Sequence, residues 1–210
     1  TIEDLCELVR EREGLEHLDE ALRKGKGVLG LCSHLGNFIL LGSVLHSMAY
    51  PYVTIMRQMR DEQLQEILRD IQRWLHQITI PKFPISRSVR QALSWLSEGN
   101  ILAMYIDQRS KSGAVVDFLG MPTSTATGAA FFALRSKATV LPMFLIQRDD
   151  GYYKLIIGPE VEVLDTGNLK ADSRTNTARF AKVVESYIRQ YPTQWSWFDR
   201  RWKRMHKSTR

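Results

Sequence analysis

His34 stands where an apolar run gives out, and that position makes it the first candidate for chemistry. The stretch Gly27-Val-Leu-Gly-Leu-Cys-Ser33 is apolar without alternation, as expected of a strand covered on both faces. Gly36 and Asn37 follow at once, residue types that suit a tight turn close to a ligand, and then a new apolar helix pattern begins. A helix amino terminus there would offer free N–H groups to an anion or a developing oxyanion. The second candidate is Asp107-Gln108, which ends the apolar run Ile101-Leu-Ala-Met-Tyr-Ile106. If the two runs are parallel strands, His34 and Asp107 emerge on one edge of the sheet. The aspartate would then orient the imidazole and leave the second ring nitrogen to take a proton from a hydroxyl. The structural alternatives are a satisfied histidine at a strand end and an aspartate that only caps the next loop. Ser33 and Cys32 adjoin His34, but strand neighbours point to opposite faces, which argues against a nucleophile–base pair. His17, His46, His76 and His206 lack pairwise metal-ligand spacing and neighbouring cysteines, so neither a metal site nor a cofactor is expected.

The elements that must position these residues follow from periodicity. A helical lead-in is expected over 1–26: Thr1 caps a helix carrying Leu5, Leu8 and Val9, and Leu15, Leu18 and Leu22 mark a second segment ending near Gly25. Tyr52 to Met56 reads as a short strand. Asp61 then opens a helix with Leu64, Ile67, Leu68, Ile71, Trp74 and Leu75 on one face. Ser86 caps another, with Val89, Ala92, Leu93 and Leu96 inward, which stops at Gly99. A Gly- and Thr-rich loop from Gly120 to Gly128 leads into a helix through Leu134. Val140 to Gln147 and Tyr152 to Ile157 flank the turn Asp149-Asp-Gly151 and predict a hairpin. Two last helices are expected over Thr175 to Gln190 and Thr193 to Met205. The whole predicts one α/β domain over 1–210, a mostly parallel central sheet with helices on both faces and function at the strands' carboxyl ends.

Composition narrows the class. With 44% hydrophobic and 25% charged residues, the chain is neither a disordered segment nor a disulfide scaffold. Its apolar runs, Phe38 to Leu45 and Ala138 to Ile146, fall far short of the roughly 18–20 residues that cross a bilayer. Cys6 and Cys32 read as reduced intracellular thiols. The first residue is Thr rather than Met, so an amino-terminal anchor outside the chain stays open.

Several blocks, in order, resemble the lipid A biosynthesis (late) acyltransferases of the lysophospholipid acyltransferase superfamily. They are Ser33-His-Leu-Gly-Asn-Phe38, Tyr105-Ile-Asp-Gln108, Val116-Asp-Phe-Leu-Gly-Met-Pro122, Thr127-Gly-Ala-Ala130, Val140-Leu-Pro-Met-Phe144, and Tyr191-Pro-Thr-Gln-Trp195-Ser-Trp197 with Arg200-Arg201. The resemblance implies a glycerolipid acyltransferase-like fold. It also implies fatty acyl transfer from an acyl carrier protein thioester, or acyl-coenzyme A, to a hydroxyl of a lipid A precursor or related lipid. The setting would be the cytoplasmic face of the bacterial inner membrane. By the same resemblance His34 is the general base and Arg57 stabilises an oxyanion or substrate phosphate, a role that suits guanidinium. Substrate binding is expected at Gly36, Asn37, Phe38, Gln108 and Gly128. An apolar trench is expected from Phe38, Leu40, Leu41 and the loop 118–128.

One departure stands out. Five residues after His34, where the family carries Glu or Asp, this chain has Ile39, which cannot orient an imidazole. Asp107 or Asp117 supplies the missing carboxylate, or the chain is a slow enzyme, or it has kept the fold and lost the chemistry. A silent lipid-binding protein and a thioester hydrolase are the functional rivals.

The net charge of +6 is concentrated at the carboxyl end, where six Arg or Lys face one Asp from Asp199 to Arg210. There Trp195, Trp197 and Trp202 interleave with Arg200, Arg201, Lys203 and Arg204, a composition expected of an interfacial helix on an anionic membrane surface. The competing reading packs the tryptophans on the domain. No nucleic-acid-binding signature accompanies the tail, and no nucleic-acid partner is expected.

Overall fold

A computed structural model of the chain describes residues 7–202. Apolar runs that lack alternation form the middle of a seven-stranded sheet. Its strands are β1 (Val9–Glu13), β2 (Val28–Cys32), β3 (Tyr52–Met56), β4 (Ile78–Pro81), β5 (Ile101–Tyr105), β8 (Thr139–Gln147) and β9 (Tyr153–Ile157). They lie in the order β1-β9-β8-β2-β5-β3-β4. β8, β2, β5, β3 and β4 run parallel, β9 returns antiparallel to β8 as the expected hairpin, and β1 follows β9 in parallel. The remaining strands, β6 (Arg109–Phe118) and β7 (Met121–Thr125), pair as a separate antiparallel hairpin.

Six helices are seen among the described residues: α1 (Leu15–Arg23), α2 (Leu41–Ser47), α3 (Glu62–Trp74), α4 (Ile85–Ser97), α5 (Gly128–Ser136) and α6 (Leu169–Gln190). Alternation along the central strands sends side chains into two cores. From β2, Leu29 and Leu31 join a core with residues of α4, α5 and α6. Val28 and Cys32 join the other, closed by Leu18 and Ala21 of α1 and by Leu41, Val44 and Leu45 of α2. The expected α/β architecture, a mostly parallel sheet with helices on both faces, is therefore present.

Three expectations are corrected. The lead-in over 1–26 is not wholly helical. Its part before residue 7, Thr1 and Leu5 included, lies outside the described residues, and Val9–Glu13 is an edge strand whose Glu11 and Glu13 pair with Lys154 of β9 at 2.6 and 2.7 Å. The loop from Gly120 to Gly128 contains β7, folded back on β6. Past α6 there is one turn of 3-10 helix, Pro192–Gln194, and then irregular backbone to residue 202 in place of the helix expected from Thr193, whose last residues, 203–205, lie outside the described residues.

Candidate active site

β2 and β5 are neighbours in parallel register, Cys32 opposite Tyr105, so the residues just beyond their ends share one edge of the sheet. His34 and Asp107 meet there. Asp107 Oδ1 lies 2.9 Å from His34 Nδ1, and Oδ2 accepts the His34 backbone N–H at 2.9 Å and the Trp195 indole N–H at 2.8 Å. The carboxylate is 2% exposed and the imidazole 23%. Burial opposes ionisation of Asp107. The His34 ring, by hydrogen bond and charge, and the Trp195 and His34 amide donors outweigh it and hold the carboxyl below its usual value. An ionised Asp107 can only accept, so Nδ1 carries the proton and the lone pair is on Nε2. That nitrogen faces the Gln108 side-chain amide at 3.4 Å, a long contact that leaves it available to a hydroxyl.

The loop from residue 34 to 40 is held by backbone bonds to distant elements. Gly36 N–H donates to the Gln194 carbonyl at 3.0 Å and Asn37 N–H to the Leu145 carbonyl at 2.8 Å. Gly36 has φ +60°, and a Cβ there would sit 2.2 Å from the Leu145 carbonyl oxygen, so only glycine fits. The Asn37 side chain bridges the Tyr153 hydroxyl, to which it donates at 2.9 Å, and the Leu40 N–H, which it accepts at 3.1 Å. Asn37 thus builds the turn. Phe38 stacks edge-on against the imidazole with ring centres 4.7 Å apart, and Tyr105 lies beside both, 5.2 Å from the imidazole and 6.0 Å from Phe38, while donating to the Phe38 carbonyl at 3.0 Å.

Sequence reasoning missed the role of the carboxyl-terminal segment. Trp195 is buried and donates to Asp107, and Ser196 N–H donates to the His34 carbonyl at 2.9 Å. Arg201 is fully buried. Its guanidinium donates to the Gln108 carbonyl at 2.5 Å and to Thr125 Oγ1 at 2.6 Å and lies over the Phe118 ring. Burial pushes that guanidinium down to about 10, still charged at neutral pH. Trp202 is partly buried and donates to the Phe118 carbonyl at 3.2 Å. The expected membrane-facing positions of Trp195, Arg201 and Trp202 are thereby corrected: the segment straps the site and the β6–β7 hairpin. Trp197 and Arg200 are exposed, and Lys203 and Arg204 lie outside the described residues. A buried tryptophan with a polar tip needs an acceptor, and that requirement was the available signal.

Other expected residues divide. Asp117 is exposed and bound to Lys182 at 2.5 Å, so the carboxylate at His34 is Asp107. Ile39 is half exposed, and its carbonyl accepts from the Gln77 amide. Arg57 follows the end of β3, separated from β2 by β5, and lines a hollow of about 150 Å³ with Met56, Arg69 and Gln72. Gly128 opens α5, and a Cβ there would meet the Met104 side chain at 3.3 Å. Leu41 and Phe118 are wholly buried in opposite cores, which corrects the expected trench through both. Cys32 is also buried, and desolvation first, with the Asp107 charge behind it, pushes its thiol far up; it is no nucleophile. Ser33 Oγ is buried and makes no bond to His34.

An α/β sheet whose carboxyl edge carries a partly exposed imidazole backed by a buried carboxylate is an arrangement that can take a proton from a hydroxyl or water. The chain belongs to the bacterial lipid A biosynthesis acyltransferase family, which it matches over residues 4–204. It is 26% identical over 193 residues to a lipid A biosynthesis acyltransferase of Haemophilus influenzae, covering 88% of this chain and 56% of that protein. It is also 25% identical over 191 residues to a phosphatidylinositol mannoside acyltransferase of Mycobacterium tuberculosis, covering 90% and 58%. A protein of the same description from Mycolicibacterium smegmatis is 25% identical over 193 residues, covering 90% and 60%. The chain thus spans somewhat over half the length of these relatives. No helix among the described residues is long and apolar enough to cross a membrane.

Proposed function

We propose that the chain catalyses O-acylation of an amphiphilic lipid, moving a fatty acyl group from a thioester donor to a hydroxyl with His34 as general base. The observation that carries this reading is the 2.9 Å contact between Asp107 and His34 Nδ1, which fixes the tautomer and leaves Nε2 open. In the reaction Nε2 removes the acceptor's hydroxyl proton as its oxygen attacks the thioester carbonyl. The negative charge passes to the carbonyl oxygen, and Asp107 stabilises the imidazolium. Collapse re-forms the carbonyl, breaks the carbon–sulfur bond and expels the thiolate, which recovers the proton from His34. The products are one ester and one thiol. Arg57 is assigned to the oxyanion or to a phosphate of the acceptor, since it extends from the same sheet edge. Gln108 and Phe38 flank the imidazole, Gly36 and Asn37 shape the backbone around it, and Gly128, at the start of α5, is assigned to the substrate.

The finer reading is that the donor is acylated acyl carrier protein and the acceptor a lipid A precursor, at the cytoplasmic face of the inner membrane. The name of the Haemophilus relative supports the acceptor class, and the names of the mycobacterial relatives make a mannosylated phosphoinositide the alternative to include. The test is acyl transfer from acyl carrier protein or coenzyme A thioesters to both acceptors, run with His34→Ala and Asp107→Asn. Product that depends on both residues is the expected result. Equal background from all three proteins overturns the enzyme reading, and free fatty acid without acylated acceptor assigns a hydrolase instead.

A further inference from the structure

The apolar face expected on α3 exists, but most of it is turned outward. Leu64, Ile67, Ile71 and Trp74 are 55%, 56%, 45% and 79% exposed, and they recur at i, i+3, i+7 and i+10, one stripe of a helix. On its inner side α3 presents Leu68, Leu75 and, against usual practice, the amides Gln65 and Gln72. A helix that keeps glutamine inside and tryptophan outside is adapted to an apolar neighbour on its outer face. At the sheet edge where His34 sits, Met59 and Phe83 in the loops leaving β3 and β4 and Ile85 at the start of α4 add apolar side chains, each more than half exposed.

Charge identifies the neighbour. The segments 57–60 and 82–87 that flank the stripe carry Arg57, Arg60, Lys82 and Arg87 and no acidic residue. Asp61 is taken up as the cap of α3, and the acids of the helix, Glu62, Glu66 and Asp70, recur at i, i+4 and i+8 on another side that they share with Arg69 and Arg73, the latter paired with Asp70 at 2.8 Å. Apolar side chains bordered by cations fit a lipid interface with anionic headgroups. At the far end of α3 the Gln77 side chain donates to the Ile39 carbonyl, in the loop that carries His34.

We propose that α3 with the β3 and β4 exit loops is a surface that docks on an anionic lipid bilayer. Its stripe enters the acyl-chain boundary, and Arg60, Lys82 and Arg87 meet headgroup phosphates. The inference deepens the acyltransferase reading, since docking on this face brings the His34 edge to its acceptor.

The experiment is flotation of the full chain with vesicles of phosphatidylcholine, with and without phosphatidylglycerol. We expect salt-sensitive binding to the anionic vesicles, weakened about tenfold or more by the pair Ile71→Glu and Trp74→Glu and by the pair Lys82→Glu and Arg87→Glu. A measurement without a charged insertion stands beside it: phospholipids brominated on the acyl chain quench the native tryptophan emission, and Trp74→Phe removes the quenched component. Vesicle binding unchanged in both pairs overturns the proposal, as does the absence of quenching. A dimer that becomes monomer in the Ile71→Glu, Trp74→Glu protein without change in vesicle binding assigns the face to a second copy instead. Transfer to a detergent-dispersed acceptor separates this surface from the chemistry. The Ile71→Glu, Trp74→Glu protein retains that transfer, whereas its absence in the unaltered chain counts against the acyltransferase reading and leaves the vesicle result standing.

Discussion

Asp107 serves His34 from a different strand than the motif's spacing leads one to expect, and this relocation governs what substitutions do. Because Nδ1 already has its carboxylate, Asp107→Asn removes both the orienting acceptor and the countercharge of the imidazolium; we expect it and His34→Ala each to lower kcat by roughly 10²–10⁴-fold. Ile39→Glu does not rescue Asp107→Asn in a detergent-dispersed transfer assay, since the Ile39 side chain is turned half into solvent; recovery within threefold of the unaltered protein (roughly 0.65 kcal/mol) would contradict the assignment. Trp195→Phe withdraws one of the donors that hold Asp107 below the usual carboxylate value. The carboxyl then rises toward the ordinary carboxylate value, and the pH at which Asp107 protonates, followed by its side-chain carboxyl NMR resonance, moves up. Stability obeys the same sign. A depressed carboxyl contributes fully above its ordinary unfolded value, and the contribution disappears as pH falls through the folded one. The urea midpoints of the native and Asp107→Asn proteins should therefore differ near neutrality and converge in acid.

At the scale of elements, sequence patterns located what two-sided burial dictates and missed what one-sided exposure disguises. Tyr52–Met56 and the helix starting at Asp61 lie where periodicity placed them, and the parallel pairing of β2 with β5 brings His34 to Asp107. β1 was hidden because an edge strand with charged outward residues, Val-Arg-Glu-Arg-Glu, has too few apolar positions to show a period of two. The helical period of α3 was legible, but period alone says nothing about which way a stripe points. The turn after β2 was readable from Gly36 and Asn37. Gly36→Ala places its Cβ against the Leu145 carbonyl oxygen at a positive φ, and we expect a loss of about 2 kcal/mol or more in denaturant unfolding, with reduced transfer because the His34 loop must shift.

Across the whole molecule, the site is assembled from both ends of the described chain. Tryptophan and arginine have one composition whether they face lipid or fill a core, so the carboxyl-terminal segment could not be placed by residue type. Its location follows from acceptors supplied by the β5–β6 turn, β6 and β7. Arg201 serves the Gln108 carbonyl and Thr125 Oγ1 with separate nitrogens, a fork that an ammonium does not reproduce. Arg201→Lys should cost about 2 kcal/mol and lower the melting temperature by roughly 4–8 °C, measured by calorimetry.

The Trp195 bond to Asp107 and the Ser196 bond to the His34 carbonyl also impose an order in time. During synthesis the parallel strands leave the ribosome long before residues 194–202 do, so a nascent chain can join its imidazole to its carboxylate but lacks the Trp195 and Ser196 bonds that brace the pair. The bracing comes last, after the sheet is complete. A translation product stopped before Trp195 would carry His34 and Asp107 with one donor fewer on the carboxylate and nothing seated on the His34 carbonyl.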